Sequence, residues 1–323
     1  MSLLLTGATG FLGRNIVLRA LSEGREVLAP VRSPGKLIQQ LRFEKNDLRG
    51  VQVLPTAPEQ WPAIAPRCAI LGGGVLFARN RRDYFCTNVD WTLAILRALP
   101  EDCRTVVISS QSAGGPTPNG KVSRSEADSD TPITWYGESK LAMEEAIRRE
   151  FPKRPITILR PPMILGARDA ATLPLFRMAR GPVRIKPGLR AKSYSFLAVE
   201  DLVTAIFLAL ESEPLTQACY VASMHPMTDW QLIASAATAC NAKGLTVPVP
   251  HFAIRILSGV IDAIPGLRAR APSLTRDRSR EIWADRWVVD GSRFERLTGW
   301  RATTGLSDAL RAAHSYYVRE GTL

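Results

Sequence analysis

The chain has only three histidines, His225, His251 and His314, which lie far apart and form no HxxxH pair. Its five cysteines, Cys68, Cys86, Cys103, Cys219 and Cys240, are scattered, odd in number and without CxxC spacing. These shortages exclude a zinc-ligand pattern and a disulfide framework, so no metal site is expected and reduced, buried thiols are. Long apolar runs are missing too. Spanning a bilayer takes about 20 apolar residues, and Leu3–Leu5 is too short even for the apolar stretch of a secretory leader. No stable membrane span and a cytoplasmic location are the expectations. Acidic residues are few: 30 Asp and Glu against 42 Lys and Arg leave a net charge of +12. That excess fits a basic surface, an anionic cofactor or substrate, or an anionic membrane. No nucleic-acid-binding motif accompanies it, so nucleic acid is not an expected partner.

What is present is a chain of 323 residues with 46% hydrophobic and 22% charged residues. This composition suffices for a sizeable core in one large or two modest domains of about 100–200 residues. The first half alternates apolar runs with amphipathic segments. Strands are expected at Leu3–Leu5, Val27–Val31, Val51–Leu54, Ala69–Leu71, Thr105–Ser109 and Ile156–Leu159. Helices are expected at Arg14–Glu23, Lys36–Phe43, Tyr84–Leu99 and Tyr136–Glu150. Short buried strands separated by helices give an α/β fold, a doubly wound parallel sheet of Rossmann type, with ligands beyond the carboxyl ends of the strands. Gln111–Pro132, rich in Gly, Pro, Ser and Asp, reads as a long loop over that end. After Gly166 proline and glycine interrupt the pattern. A helix at Val199–Leu210 and a strand at Ala218–Ala222 then return, and helices follow at Asp229–Asn241, His251–Ala263 and Leu306–Arg319. The expected division is residues 1–165 plus 196–222 as the nucleotide-binding unit. Residues 166–195 and 223–323 are left as a smaller, interleaved C-terminal substrate region. The apolar His251–Leu267 reads as a core helix, and the basic stretch Arg268–Arg286, with Asp277, Glu281 and Asp285 interleaved, as a solvated helix face.

The first strand runs straight into Thr6-Gly7-Ala8-Thr9-Gly10-Phe11-Leu12-Gly13, and a helix follows at once. That order, strand then glycine loop then helix, is what cradles a pyrophosphate. Gly7 permits the tight turn, Gly10 lets backbone N–H groups approach the phosphates, and Gly13 lets the helix pack on the strand. Thr9, Phe11 and Leu12 stand at the helix start that would face the anion. Further along, Tyr136 and Lys140 are four residues apart in Trp-Tyr-Gly-Glu-Ser-Lys, on one helix face. A lysine ammonium there would stabilise the phenolate and lower the tyrosine pKa, as a proton-transferring tyrosine needs. The strand ending Val106-Val107-Ile108-Ser109-Ser110 places Ser110 at the same end of the sheet, and Asn88 lies in the preceding helix. A serine ending a strand and an asparagine bonding to backbone are also ordinary structural features.

Taken together, Thr6–Gly13, Ser109–Ser110, Tyr136-x-x-x-Lys140 and Arg160-Pro161-Pro162, with Phe196–Asp201, Trp287–Asp290 and Leu297–Trp300 later, stand in one family's order and spacing along nearly the whole length. The chain resembles an extended short-chain dehydrogenase/reductase of the NAD-dependent epimerase/dehydratase superfamily. Its wording is most similar to the dihydroflavonol reductase and 3β-hydroxysteroid dehydrogenase branch. That resemblance implies Tyr136 as catalytic acid/base and Lys140 as binder of the nicotinamide ribose and tuner of Tyr136. It implies Ser110 as the group orienting the substrate oxygen, Asn88 as a proton-relay residue, and Pro161, Pro162, Met163 and Ile164 as lining of the nicotinamide pocket. Gly72 and Gly73, in Ile70–Val75, stand where sugar-modifying members carry a His-x-Ala-Ala stretch, and still allow close cofactor approach. The resemblance also implies a homodimer through the helices at Tyr84–Leu99 and Tyr136–Glu150.

The dinucleotide can be read from the second strand. An NAD site has an acidic residue about 20 positions past the loop. Here Arg32 stands there, followed by Ser33 and Lys36. A carboxylate would repel a 2′-phosphate and an arginine would pair with it, so NADP(H) is expected over NAD(H). For the substrate, epimerases carry Arg-Asp-Tyr/Phe-Ile-His-Val where this chain has Tyr194-Ser195-Phe196-Leu197-Ala198-Val199. The nucleotide-holding arginine is replaced by Tyr194, with Arg190 or Lys192 as candidate substitutes. The expectation is an NADP-dependent oxidoreductase moving a hydride to or from a ketone or secondary alcohol of a mainly apolar small molecule. The alternative is a nucleotide-sugar epimerase or dehydratase that recycles NAD(P) internally.

Overall fold

The computed structural model describes residues 2–44, 49–215, 217–250, 252, 256, 259, 263 and 275–323. The strands are β1 (Ser2–Thr6), β2 (Glu26–Pro30), β3 (Val51–Leu54), β4 (Cys68–Leu71), β5 (Arg104–Ile108), β6 (Ile156–Arg160), β7 (Met163–Leu165), β8 (Val183–Pro187), β9 (Ser193–Tyr194), β10 (Phe196–Ala198), β11 (Cys219–Tyr220), β12 (Met227–Thr228), β13 (Leu245–Val249) and β14 (Arg286–Trp287). The helices are α1 (Phe11–Ser22), α2 (Pro34–Phe43), α3 (Arg81–Phe85), α4 (Trp91–Ala98), α5 (Gln111–Gly114), α6 (Trp135–Glu150), α7 (Leu173–Ala179), α8 (Val199–Glu211), α9 (Asp229–Ala239), α10 (Arg276–Trp283), α11 (Ser292–Thr298) and α12 (Leu306–Arg319).

Seven strands form one parallel sheet in the order β11-β6-β5-β4-β1-β2-β3. The apolar triplet Leu3–Leu5 lies at its centre and is fully buried. Alternation divides it between two cores. Leu3 and Leu5 face α1 and α8, with Ile16, Val17, Leu202 and Ile206. Leu4 faces α4 and α6, with Leu93, Leu96, Met143 and Ile147. The strand order reverses between β1 and β4, and in such sheets the crevice at that switch point holds the ligand. Beyond the sheet, β7 pairs with β10, β9 joins β12 and β14, and β8 pairs with β13. The fold is the α/β, doubly wound Rossmann type expected from the sequence.

Local departures have identifiable causes. The expected helix Tyr84–Leu99 is α3, a π-helical turn at Cys86–Asp90, and α4. Asn88, inside that turn, bonds both backbone groups of Val75, which draws the chain out of α-helical register. The expected loop Gln111–Pro132 contains α5 and folds around the buried Arg124, whose guanidinium donates to Pro116 O, Ser129 O and Thr131 Oγ1 at 3.0, 2.8 and 3.0 Å. Cys68, Cys103 and Cys219 are buried as expected, and burial pushes each thiol up. Cys86, in the π-helical turn, is exposed and Cys240 is half-buried, contrary to the expectation of buried thiols. Most of the helix expected at His251–Ala263, and the start of the basic stretch, lie outside the described residues. Among the described residues no helix is long and apolar enough to cross a membrane, and no group of three or more His, Cys, Asp or Glu is placed to hold a metal ion.

Candidate active site

The glycine loop does at each position what its backbone requires. Gly7 sits at φ +77°, a left-handed conformation that favours glycine, and its carbonyl accepts from Gly10 N at 2.8 Å. A Cβ on Gly13 would lie 2.0 Å from Gly7 O, so α1 reaches β1 only because position 13 has no side chain. A Cβ on Gly7 would lie 2.9 Å from Gly73, and Gly73 N donates to Thr6 Oγ1 at 2.9 Å. Gly72 and Gly73 therefore close on the loop from β4, across the switch point. No side chain caps the N-terminus of α1 at Gly10. The leading N–H groups, those of Phe11 and Leu12 included, have no partner within the helix and lie in the positive end of its dipole, beside Thr9. This cradle fits a dinucleotide pyrophosphate.

Arg32, Ser33 and Lys36 are exposed where β2 passes into α2. Arg32 makes no ion pair with any described residue, and no carboxylate stands beside it in the chain. Pro34 opens α2 at a position where proline costs no helical bond.

At the far side of the crevice, β5 ends at Ile108 and delivers Ser109 and Ser110. The Ser110 side chain lies close enough to the Tyr136 phenol to draw its pKa down, and Ser110 Oγ accepts from Ser112 N at 3.1 Å. Gly137 allows this approach, since a Cβ there would lie 2.4 Å from Ser112 O. Thr134 caps α6 by accepting from Gly137 N at 3.2 Å. Lys140 is buried one turn on, and its Nζ donates to Ile108 O at 2.8 Å. Burial lowers its ammonium to about 8, with Glu144 opposing. The expectation that Lys140 lowers the Tyr136 pKa is not met in this structure. Burial pushes the Tyr136 phenol up, and Lys140 is committed to the strand-end carbonyl.

The cation that does act on Tyr136 is one the sequence reading assigned to solvent. Arg278, on α10, places its guanidinium carbon 5.1 Å from the Tyr136 ring centre and 5.4 Å from that of Phe77. It works with the Ser110 side chain to pull the phenol pKa down against burial, while Glu281 and Tyr84 push it up. Glu281 Oε1 accepts from Arg278 Nη1, Thr134 Oγ1 and Ser112 Oγ at 2.9, 3.0 and 3.2 Å. Asp277 Oδ1 accepts from Trp135 N at 3.2 Å. Two carboxylates thus complete the N-terminus of α6, where their charge is favourable. The solvated-face reading of this stretch is corrected for Asp277, Arg278 and Glu281. Interleaved charge looked like a wet surface, and the signal available was the i, i+3 spacing of Arg278 and Glu281.

Asn88 is fully buried. Its Oδ1 accepts from Val75 N at 2.8 Å, and its Nδ2 donates to Val75 O at 3.3 Å and Ser139 Oγ at 2.9 Å. It ties the β4 loop to α6, and a Cβ on Gly74 would touch both Asn88 Oδ1 (2.9 Å) and Lys140 Nζ (3.5 Å).

Beneath Ser110 lies a buried ion cluster. Arg160 donates from Nε and Nη2 to Glu144 at 2.9 and 2.7 Å, and from Nη1 and Nη2 to Asp130 at 2.7 and 2.8 Å. Burial alone would lower the Arg160 pKa, but these bonds outweigh it and raise the group. Ser109 Oγ donates to Glu144 Oε1 at 2.5 Å. Pro161 and Pro162 are buried beyond Arg160, and Pro161 O accepts from Gln111 N at 2.9 Å. Met163 and Ile164, half-buried, continue into β7 against Phe196 and Leu197. Lys192, offered above as a substitute anion holder, is buried, its N–H bonded to Asp229 Oδ1 at 3.2 Å. Arg190 is exposed. Leu93, Leu96, Met143 and Ile147, on the helices expected to form a dimer interface, are packed within the chain's own core.

Comparison with known proteins adds three kinds of finding. The family described as NAD dependent epimerase/dehydratase matches residues 3–219. The ceramide reductase of Caulobacter vibrioides (strain NA1000 / CB15N) is 26% identical over 324 residues, covering 99% of this chain and 95% of that protein. The dTDP-6-deoxy-L-talose 4-dehydrogenase (NAD(P)(+)) of Kitasatospora kifunensis is 26% identical over 221 residues, covering 63% of this chain and 68% of that one. Among solved structures, a UDP-glucuronic acid 4-epimerase from Bacillus cereus in complex with NAD superposes with a TM-score of 0.73 at 17% identity, covering 100% of both chains. At that identity the likeness is one of fold.

Proposed function

The chain belongs to the NAD dependent epimerase/dehydratase family, and on that premise we propose that it is an oxidoreductase moving a hydride between NADP(H) and a ketone or secondary alcohol of a mainly apolar small molecule. The observation that carries this reading is the pairing of two hydroxyls, Ser110 and Tyr136, at the carboxyl end of the sheet, with a buried Lys140 one turn along. In the reducing direction a carbonyl oxygen sits against both hydroxyls. Ser110 orients it, and Tyr136 donates the proton that the oxygen needs as its carbon becomes tetrahedral. The oxidising direction reverses that transfer. The nicotinamide, when bound, supplies or accepts the hydride.

Gly7, Thr9, Gly10, Phe11 and Leu12 hold the pyrophosphate. Gly72 and Gly73 wall the crevice, and Pro161–Ile164 lie beside the nicotinamide. Lys140 holds the ribose, and Asn88 keeps the β4 loop and α6 in register. Arg32, with Ser33 and Lys36, pairs the 2′-phosphate and favours NADP(H), because a free guanidinium forms two charge-assisted bonds to phosphate. Residues 166–195 and 223–323 form the substrate side. A relative named ceramide reductase along 99% of the chain supports an apolar, lipid-like substrate. The second reading, a nucleotide-sugar epimerase, has the family name and the epimerase fold in its favour. Tyr194 and a buried Lys192 in place of the nucleotide-holding arginine weigh against it.

The test is a fluorescence titration with NADPH and NADH in parallel, followed by turnover of long-chain ketones. Arg32→Ala is expected to weaken NADPH binding by about 10- to 100-fold, the loss of one charged pair, and to leave NADH almost unchanged. Tyr136→Phe is expected to lower turnover by about 100- to 10,000-fold with NADPH affinity retained. Stronger binding of NADH, with nucleotide sugars converted and no net change in nicotinamide absorbance, would establish the epimerase instead.

A further inference from the structure

Strands β8 and β13 pair with the usual polarity reversed. Their register sets Val183 beside Leu245 and Ile185 beside Val247. These four side chains point outward, with 56%, 68%, 52% and 38% of their surface exposed. The intervening residues of β8 are cations, Arg184 and Lys186, and both are buried. Arg184 donates to the carbonyls of Ala179, Gly244 and Ala242 at 2.9, 3.1 and 2.9 Å. Lys186 donates to Gly188 O and Arg190 O at 2.8 and 2.6 Å and lies 2.9 Å from Asp229 Oδ2. Side chains alternate along a strand, so these inward bonds fix the apolar neighbours on the outside. Leu189, two residues after β8, and Phe252 and Ile256, further along from β13, are also more than half exposed.

Charge of one sign borders this strand pair. No Asp or Glu occurs from residue 170 to 199 or from 230 to 261. Exposed cations stand at both ends of the strand pair, Arg180 and Lys243 before the strands and Arg190 after β8. An isolated exposed apolar residue needs no explanation, but an apolar cross-strand ladder with exposed cations at its ends does. A two-fold contact with a second copy would set this acid-free surface against itself, cation against cation. A bilayer meets both features at once, with acyl chains for the apolar ladder and anionic headgroups for the cations.

We propose that the β8–β13 face docks the protein peripherally on an anionic lipid surface. The apolar ladder enters the headgroup boundary, and Arg180, Arg190 and Lys243 engage lipid phosphates. This stands independently of the reaction proposed above. If that reaction acts on a lipid, docking also brings the protein to its substrate.

Vesicle flotation tests it, using equimolar phosphatidylcholine and phosphatidylglycerol against phosphatidylcholine alone. The protein is expected to float with the anionic vesicles, less so as salt is raised, and to bind phosphatidylcholine weakly. The double variant Ile185→Glu/Val247→Glu is expected to lose partitioning by about ten-fold or more. Arg190→Glu/Lys243→Glu, which leaves the ladder intact, is expected to lose binding to the anionic vesicles alone. All four positions are exposed, so melting temperature and dinucleotide affinity serve as controls of fold. Absence of binding to anionic vesicles, or binding that both double variants retain, overturns the proposal. So does a dimer in sedimentation that Ile185→Glu/Val247→Glu dissociates, which would assign the face to a second copy.

Discussion

The guanidinium carbon of Arg278 lies over the ring of Tyr136, 5.1 Å from its centre, while Lys140, on the Tyr136 helix, donates from its ammonium to Ile108 O. The charge that eases ionisation of the phenol therefore comes from α10, 142 residues further along the chain than Tyr136. The other groups facing the phenol are Ser110, which caps α5, Tyr84 of α3 and Glu281 of α10.

Removal of that cation should be read in the pH profile. Arg278 lowers the phenol pKa, so Arg278→Gln raises it, and the limb of the kcat/KM profile governed by Tyr136 moves to higher pH by about one unit. Arg278→Lys restores most of the shift. A profile identical to wild type, with activity merely scaled, would reduce Arg278 to a structural role.

Lys140 gives a second pH dependence, in stability. Its folded pKa, about 8, lies below its ordinary value of 10.5. Between those values the unfolded chain binds more protons than the folded one, so this group makes stability rise with pH in that window. Below pH 8 the buried cation is fully present and its burial opposes folding. Denaturant midpoints compared with Lys140→Met should show the wild type gaining on the variant between pH 8 and 10.5, and parallel curves below pH 7. Parallel curves throughout would place the Lys140 pKa near its ordinary value.

Gly13→Ala sets a Cβ 2.0 Å from Gly7 O, against backbone that cannot swing away. We expect a loss of about 1–3 kcal/mol or more in stability, as for overpacked sites, and loss of dinucleotide binding as α1 is pushed off β1. Calorimetry and the NADPH titration measure the two effects. Gly24→Ala provides the contrast in space, since nothing lies within 4 Å of its added Cβ, although its φ of +68° carries a modest backbone strain.

Arg160→Met leaves Asp130 without its cation and the buried Glu144 with only the more exposed Arg148, at 2.9 Å. Breaking a buried pair from one side costs about 3–5 kcal/mol, and the cost should fall in Glu144→Gln/Arg160→Met, where the stranded charge is also removed. The single variant is further expected to loosen the 111–132 loop at Asp130, seen as faster amide exchange there. Equal midpoints for single and double variants would count against the cluster.

The local units of the site were legible in the sequence because each is specified by residues close together in the chain. An apolar strand, three glycines at fixed offsets and a helix start dictate a phosphate cradle through backbone sterics alone. Tyr136 and Lys140 share a face because 3.6 residues make a turn. The absence of an acid after β2 is likewise a property of the chain itself. Tertiary structure decided what depends on contacts across long separations. It buried Lys140 and turned it to Ile108, brought Arg278 and Glu281 onto α6, and gave Asn88 to the Val75 backbone. It also sent the cations of β8 inward and its apolar residues out. A charged residue's environment is set by which distant carbonyl or carboxylate meets it, and desolvation, the largest cause of the Tyr136 and Lys140 shifts, exists only once the chain is packed.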